Sequence, residues 1–228
     1  MAMLTVALTG GIATGKSVVA GILRQHGCYV HSADQVAHDL MKSGKPAWQK
    51  IISRFGPQIL NLDQTINRSR LGAIVFSDEK DRQFLNSLIH PLVLRKKKQV
   101  IHRLEKKGTY KIFISEAALT IESGYAPFFD RIIVVHCAED IQVQRLMERD
   151  KISRREALEK IRSQMPSREK RTYADYVIDT SGSLENTARQ TNDVYRHLLS
   201  DYQRKLKKEK RKRPAGSKPK VRQPKGGS

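Results

Sequence analysis

The sequence is poor in cysteine and contains no long apolar segment. Its two cysteines, Cys28 and Cys137, form no Cys-x-x-Cys pair and no spacing typical of a zinc site. Thiols in such apolar surroundings are usually packing groups, which fits a reducing compartment. No stretch reaches the roughly 20 apolar residues of a membrane-spanning helix, and no signal-peptide pattern precedes the first apolar run. We therefore expect a cytoplasmic protein that does not engage a membrane.

Acidic residues are scarce relative to basic ones, and the imbalance is uneven along the chain. Lysine and arginine number 43 against 23 aspartates and glutamates, giving a formal net charge of +20. Residues 204–228 contain 12 of the basic residues and a single acidic one, Glu209. Because this segment lacks the apolar residues needed for a core, we expect a disordered basic tail. Its charge would allow contact with nucleic acid or another acidic surface.

A glycine-rich motif of the form G-x-x-x-x-G-K-[ST] spans residues 10–17. The apolar run Leu4–Thr9 before it predicts a buried strand, and Val18–Gln25 after it predicts a helix. Loops in this setting turn backbone N–H groups and a helix N-terminus toward phosphate. The alternative is a glycine-rich turn that binds nothing, but the order of strand, loop and helix favours a phosphate site.

The side chains of this loop have distinct expected roles. Lys16 can reach the β- and γ-phosphates of a nucleotide, and the Ser17 hydroxyl can bind Mg²⁺. Gly10 and Gly15 are needed because a Cβ would block the tight turn or the approach of phosphate.

Short β-like runs alternate with helical patterns along the chain, which predicts an α/β fold with a parallel sheet covered on both faces. Ligands of such sheets bind at the carboxyl ends of the strands, where the loop after Thr9 lies. The predicted strands are Leu4–Thr9, Cys28–His31, Lys111–Ser115, Ile132–His136 and Tyr176–Asp179.

The stretch between the second and third predicted strands is far longer than one crossover helix requires. We expect it to be a helical insertion, residues 34–109, that holds a second substrate. Its predicted helices are Asp34–Lys42, Ala47–Phe55, Arg68–Phe76, Asp81–His90 and Pro91–Lys107. Residues 140–174 are rich in arginine and lysine, which suits a lid over phosphates. Residues 1–33, 110–139 and 175–203 would then form the nucleotide-binding core.

Two acidic residues follow predicted strands. Asp34 comes after the second strand, which we expect to neighbour the phosphate loop, and could orient and deprotonate an acceptor hydroxyl. The alternative is that Asp34 only caps the following helix. Glu116 ends the third strand and could hold Mg²⁺ through water; an ordinary solvated strand end is equally compatible with the sequence.

Basic residues offer further candidates. Arg145 and Arg149 are four residues apart on one predicted helix and could clamp a polyphosphate, although a solvated basic face has the same pattern. His90-Pro91 is predicted to join two helices, with a basic cluster one turn later.

In order and spacing, these motifs resemble the dephospho-CoA kinase family over roughly residues 3–200. The resemblance rests on the phosphate loop, the Ser32-Ala33-Asp34 segment, the Leu88–Leu92 segment containing His90-Pro91, and the Glu116–Gly124 segment. It also rests on the lid and last-strand residues Arg145, Arg149-Asp150, Gln164-Met165 and Ala174–Asp179.

This resemblance implies a three-layer P-loop fold with a five-stranded parallel sheet, a helical acceptor insertion and a helical lid. It implies that ATP phosphorylates the ribose 3′-hydroxyl of dephospho-CoA, giving CoA and ADP, with Mg²⁺ as cofactor. We expect a monomer or a small homo-oligomer.

The resemblance also implies roles for individual residues. Asp34 would be the base, assisted by Lys16 and Arg145, while Asp34, His90 and Glu122 would bind the acceptor. Ser17, and Glu116 through water, would hold the metal. The residues that would contact the nucleotide are Gly10, Gly11, Ala13, Thr14, Gly15, Lys16, Ser17, Val18, Arg145 and Arg149.

Four positions depart from the family pattern. Ser32 replaces a carboxylate, so Asp34 would be the carboxylate of this segment that acts on the acceptor. Glu116 replaces aspartate, Thr180 replaces asparagine at an adenine-side contact, and Lys160 replaces an arginine of the lid and loses its bidentate geometry.

Three other functions fit parts of the sequence. A different P-loop kinase, acting on a nucleoside or nucleotide, would share the loop but not the long insertion with His90-Pro91. A GTPase would need an Asn-Lys-x-Asp motif, which does not occur. A nucleic-acid-binding protein would depend on the basic tail.

Overall fold

The computed structural model describes residues 2–212 and contains one five-stranded sheet, in which all strand pairs are parallel. The strands are β1 (Leu4–Thr9), β2 (Tyr29–Ser32), β3 (Ile112–Glu116), β4 (Arg131–His136) and β5 (Tyr176–Asp179), in the spatial order β2-β3-β1-β4-β5. The predicted α/β class and parallel sheet are therefore confirmed. β1 and β5 have their predicted bounds, β2 and β3 lie one residue further along the chain than predicted, and β4 begins one residue earlier.

Helices separate the strands. Two short 3₁₀ segments, Pro57–Ile59 and Ala126–Phe128, accompany them. The α-helices are α1 (Lys16–Gln25), α2 (Ala33–Leu40), α3 (Pro46–Phe55), α4 (Arg68–Ser77), α5 (Glu79–Lys107), α6 (Glu139–Asp150), α7 (Arg154–Arg162), α8 (Ser167–Arg171) and α9 (Leu184–Lys212).

The sheet is buried on both faces because successive side chains of a strand point in opposite directions. On one face, Leu4, Val6 and Leu8 of β1 pack in a cluster that includes residues of α1 and α9. On the other face, Ala7 packs with Ile121 of the segment that follows β3. Helices thus cover a central sheet in three layers.

Two apolar clusters lie away from the sheet. The segment between β2 and β3 has a cluster built on Ile51, Phe55 and Ile89. A smaller cluster in α6 and α7 includes Leu146 and extends to Ile12 of the glycine-rich loop.

The prediction that His90-Pro91 joins two helices is wrong, because α5 runs through both residues without a break. Proline removes one backbone hydrogen bond and costs about 3 kcal/mol inside a helix. Apolar packing on both sides of Pro91 offsets this cost: Ile89 is buried in the α3 and α4 cluster, and Leu104 is buried against Phe113 of the sheet.

The predicted disorder of residues 204–228 is wrong for residues 204–212, which belong to α9. Leu206 packs on the main cluster, and the Lys205 ammonium lies 2.7 Å from a carboxylate oxygen of Asp130. These two contacts give this part of the chain the tertiary packing that its composition alone does not suggest. Residues 213–228 lie outside the described residues.

The order of the strands sets how β2 is placed relative to the strand that precedes the phosphate loop. β2 does not neighbour β1, because β3 lies between them and pairs with both. Among residues 2–212, no helix is long and apolar enough to cross a membrane.

Candidate active site

The glycine-rich loop connects β1 to α1, and its backbone requires small residues for two different reasons. A Cβ on Gly10 would lie 2.1 Å from the Val135 carbonyl oxygen of β4, and Gly10 has a φ of 151°. Gly15 is in the left-handed region (φ 81°) directly before the first turn of α1. A side chain at Gly10 is therefore excluded by the neighbouring strand β4, whether or not the loop binds phosphate.

The middle of the loop is held by its own side chains and by the lid helices. Ala13 has a φ of 57°, which is uncommon for a residue with a Cβ. The buried Thr14 hydroxyl donates to the Gly11 carbonyl at 2.9 Å. Since Ile12 and Ala13 pack on the apolar cluster of α6 and α7, the loop has little freedom to collapse.

Lys16 folds back over this loop. Its ammonium donates to the carbonyl oxygens of Gly10 at 2.9 Å and Gly11 at 2.7 Å. Burial lowers the pKa of Lys16 to about 8, and the nearby Lys170 acts in the same direction. At neutral pH most molecules therefore carry a positive charge at the mouth of the loop.

The acidic candidates meet Lys16 because of the register of the sheet. Glu116 at the end of β3 stands between Leu8 of β1 and Ser32 of β2. Burial raises the pKa of both Asp34 and Glu116, and the Lys16 ammonium acts in the opposite direction on each. Two carboxyl groups and one ammonium thus share the carboxyl edge of the sheet.

Asp34 is not the helix cap. The Ser32 hydroxyl accepts a hydrogen bond from the Gln35 N–H at 3.2 Å and so caps α2, which leaves Asp34 in the first turn of the helix. The capping alternative for Asp34 is therefore wrong.

Arg145 approaches the loop from α6. Its guanidinium donates to the Thr180 hydroxyl at 3.2 Å and to the Thr180 carbonyl at 2.8 Å. The Thr180 hydroxyl lies 2.8 Å from the Thr14 carbonyl, to which it donates. Gly15, Val18, Arg145 and Thr180 line a cavity of about 200 Å³ beside the loop.

Arg149 is exposed and is already paired. Its Nε donates to Asp150 at 2.8 Å, and Lys160 donates to the same carboxylate at 3.1 Å. Even so, Arg149 is near enough to contribute to the lowered pKa of Lys16. The two arginines thus reach the phosphate loop region in different ways.

A second cavity, of about 250 Å³, lies between α2, α5 and the segment after β3. Asp34 and His90 both line it, and the His90 ring contacts Tyr125 edge-on with centroids 5.5 Å apart. Burial lowers the pKa of His90. His90 therefore faces a different part of the site from Lys16.

Glu122 is engaged within the protein. One of its carboxylate oxygens lies 2.6 Å from the ammonium of Lys170, whose side chain is fully buried. That ammonium also donates to the Ala118 carbonyl at 2.9 Å. The expected contact of Glu122 with an acceptor stays a prediction, and the structure adds an ion pair between α8 and the segment after β3.

The oxygen-bearing residues fit a magnesium ion that keeps several of its waters. Ser17 is exposed in the first turn of α1, and Glu116 lies at the adjacent strand end. Within residues 2–212, no group of three or more His, Cys, Asp or Glu forms a dedicated metal site. Mg²⁺ is commonly bound by one or two carboxylates together with substrate phosphates, which matches this sparse donor set.

Comparison with known proteins decides the family. The family model for dephospho-CoA kinase matches residues 4–186. The chain belongs to the dephospho-CoA kinase family. A member from Halalkalibacterium halodurans is 41% identical over 189 residues, covering 83% of this chain and 94% of its own length. A member from Carboxydothermus hydrogenoformans is 44% identical over 185 residues, covering 81% and 89%.

Solved structures agree with this family membership. The chain is similar to TT1252 from Thermus thermophilus, with a TM-score of 0.74, 30% identity, and coverage of 87% of this chain and 99% of that one. It is also similar to the dephospho-CoA kinase from Campylobacter jejuni, with a TM-score of 0.62, 28% identity, and coverage of 85% and 96%.

The sequence assigned no specific contact to three side chains that shape this family member's site. Gln142 donates to the Ile12 carbonyl at 2.7 Å, and Gln164 accepts from the Ile12 N–H at 2.8 Å. Both glutamines belong to the predicted lid segment, and a lone glutamine among basic residues has no local pattern that predicts a contact with a distant loop. Lys170 lies among the basic residues Arg168 and Arg171 of α8, so its composition predicts a solvated side chain, whereas the structure buries it completely.

Proposed function

We propose that this protein transfers the γ-phosphoryl group of ATP to the ribose 3′-hydroxyl of dephospho-CoA, giving CoA and ADP. The observation that carries the proposal is the meeting of Lys16, Asp34 and Glu116 at the mouth of the phosphate loop. Family membership supplies the acceptor, which the loop alone would not identify.

The reaction makes one bond and breaks one. The acceptor oxygen bonds to the γ-phosphorus while the bond between that phosphorus and the β–γ bridging oxygen breaks. Asp34 orients the hydroxyl and takes its proton. Its burial favours this role, because a carboxyl group with a raised pKa accepts a proton more readily.

The basic side chains stabilise the charge on the transferring group. The Lys16 ammonium leaves the carbonyl groups of Gly10 and Gly11 for the phosphate oxygens, and the loop N–H groups bind the β-phosphate. Arg145 contacts ATP from α6, together with Arg149. Phosphoryl transfer depends mainly on such positioning and charge stabilisation.

The remaining assignments follow the same division of the chain. Ser17 and Glu116 would hold Mg²⁺, which neutralises phosphate charge when bound. Residues 34–109 would hold the acceptor with Asp34, His90 and Glu122, and residues 140–174 would close as a lid. We place the protein in the cytoplasm as a monomer or small homo-oligomer.

A coupled assay of ADP release tests the proposal. Dephospho-CoA is compared with adenosine, common nucleosides and nucleoside monophosphates at equal concentration. Turnover should be greatest with dephospho-CoA, and CoA should be recovered as the product. Preferred turnover of a nucleoside or nucleotide would instead identify another kind of P-loop kinase.

The basic tail provides a second test. Removal of residues 213–228 leaves the described fold whole, so the proposed activity should persist. A nucleic-acid-binding protein whose main activity depends on the tail would lose that activity on truncation.

A further inference from the structure

The acceptor-side cavity has an unusual distribution of charge. The cavity has a volume of about 250 Å³ and a largely apolar lining. Among the described residues that line it, the only carboxylate is that of Asp34 and the only ammonium is that of Lys97. Asp34 comes from α2, whereas Lys97 comes from the second half of α5. A ligand in this cavity therefore meets a carboxyl group from one helix and an ammonium from another.

Lys97 is buried without an anionic partner. The residue is 8% exposed, and it takes part in none of the ion pairs or hydrogen bonds found within residues 2–212. Its ammonium lies 4.1 Å from the centroid of the Phe129 ring and 5.9 Å from that of Tyr125. The free energy gained from contact with an aromatic face is small compared with the free energy that the ammonium loses when it is removed from water. Most of the desolvation cost of Lys97 is therefore not offset within the protein.

The groups around Lys97 do not supply a negative charge. Burial lowers the pKa of Lys97 to about 8, and Lys98 acts in the same direction. His31 lies close enough for Lys97 to lower its pKa further after burial, and both ring nitrogens of His31 are buried without a hydrogen-bond partner. The surroundings of the ammonium are thus neutral or cationic.

We propose that Lys97 binds the diphosphate of the acceptor and so makes the cavity specific for acceptors that carry this group. The inference rests on the proposed function, because dephospho-CoA has a diphosphate on the 5′ carbon of the ribose whose 3′-hydroxyl reacts. Asp34 then engages the hydroxyl and Lys97 the anionic group of one molecule. Adenosine has no anionic group on its 5′ carbon, so it gains nothing from the Lys97 ammonium.

Lys97→Met removes the charge and keeps a long apolar side chain, and Lys97→Arg keeps the charge. Lys96→Met is the matched control, because Lys96 is the exposed neighbour on the same helix. Binding of dephospho-CoA and of adenosine is measured by calorimetry, with a saturating non-hydrolysable ATP analogue occupying the nucleotide site. Affinity for the ATP analogue reports whether each variant is folded.

Lys97→Met should raise the Kd for dephospho-CoA by roughly tenfold or more, because that is the effect expected from the loss of one charge-assisted hydrogen bond. Adenosine binding should change little, and Lys96→Met should change neither. An equal loss for both ligands, or unchanged dephospho-CoA binding, would overturn the inference. If Lys97→Met does not fold, Lys97→Gln takes its place in the same comparison.

The dependence on pH separates a charge contact from packing. Wild-type affinity for dephospho-CoA should fall as the pH rises through about 8, where Lys97 loses its proton. In Lys97→Arg the guanidinium keeps its charge, so the decrease in affinity that is due to Lys97 should be absent. Any decrease that is due to Lys16 should be the same in the wild type and in the variants. Identical pH profiles for wild type and Lys97→Arg would count against the proposal.

Failure of the proposed function has a different signature. A wild-type protein that neither binds dephospho-CoA nor forms CoA from it would refute that function. Efficient CoA formation by both wild type and Lys97→Met, with equal Michaelis constants for the acceptor, would refute only the role of Lys97.

Discussion

Arg145 holds Thr180 by two hydrogen bonds, to its hydroxyl at 3.2 Å and to its carbonyl at 2.8 Å. The same hydroxyl reaches the Thr14 carbonyl of the phosphate loop at 2.8 Å. One threonine thus connects a helix of the predicted lid to the loop. The Thr180 hydroxyl therefore bridges two parts of the protein.

Thr180→Val should weaken ATP binding more than acceptor binding. The substitution removes the bridging hydroxyl, leaves the Thr14 carbonyl unpaired and costs about 1 kcal/mol of unfolding free energy. The Michaelis constant for ATP should rise while that for dephospho-CoA changes little. Thr191→Val is the control, since Thr191 is also fully buried but bonds only within α9. Equal effects of the two variants on ATP would show that the bridge has no special role.

Asp34→Asn should bind ATP normally and turn over at least about a hundredfold more slowly, because the amide cannot accept the proton. Nucleotide affinity is measured by calorimetry and turnover by ADP release. Asp39→Asn on the same helix is the control, as Asp39 is half-exposed and pairs only with Lys42 and Gln35. Normal turnover in Asp34→Asn would remove Asp34 from the mechanism.

Lys16→Ala should lose most of the activity, because the charge that faces the transferring phosphoryl group disappears. Turnover and ATP affinity are measured together with thermal unfolding. Lys50→Ala, at an exposed position of α3, provides the comparison. Retention of wild-type turnover by Lys16→Ala would mean that Lys16 does not act on the phosphate.

The ion pair of Lys170 and Glu122 should be important for stability. Lys170→Met or Glu122→Gln alone should lower the unfolding free energy by about 3 kcal/mol, since each leaves a buried or half-buried group unpaired. The double variant should recover part of that loss in denaturant titrations. Additive losses would show that the two side chains do not depend on each other.

Glu122→Gln also addresses the predicted contact with the acceptor. A purely structural Glu122 leaves the Michaelis constant for dephospho-CoA close to that of wild type below the unfolding temperature. A large rise in that constant would support direct binding.

We expect Asp201 to make a pH-dependent contribution to the free energy of unfolding. Burial acts to raise the pKa of Asp201, but hydrogen bonds from Arg131 and Tyr176 outweigh it and hold the pKa below its ordinary value. The Arg131 guanidinium donates to both carboxylate oxygens, at 2.7 and 2.9 Å. Because the folded-state pKa is the lower one, this stabilisation is present at neutral pH and is lost as the pH falls through the folded-state value.

Asp201→Asn should therefore unfold about 2 kcal/mol more easily at pH 7, and the difference from wild type should shrink in strongly acidic buffer. Urea titrations across the acidic range measure it. Asp193→Asn, in an exposed pair with Arg196, should show little of either effect. A deficit independent of pH would assign the effect to packing.

The sequence was most informative where a short pattern determines local structure. The bounds of β1 followed from an apolar run that ends at a glycine-rich turn. The phosphate loop followed from a motif whose glycines serve the backbone itself, as the contact of Gly10 with Val135 shows. Such features depend on neighbours in the chain.

The features that the sequence did not reveal depend on distant contacts. Pro91 lies inside a helix because buried residues on either side offset its cost, and residues 204–212 are helical because of Leu206 and Lys205. The insertion of β3 between β1 and β2 is likewise a property of the whole sheet. The pairing of Lys170 with Glu122 has no local pattern either.

The unbroken course of α5 constrains how the cavity lined by Asp34 and His90 can change shape. Residues from Leu85 to Lys97 on this one helix line the cavity, and its far end is anchored on the sheet through Leu104. Since Pro91 has no N–H to offer the Ser87 carbonyl, bending is easiest at that point. Bending at Pro91 would move the two halves of α5 relative to each other, so that His90 and Lys97, on opposite sides of the bend, would move by different amounts.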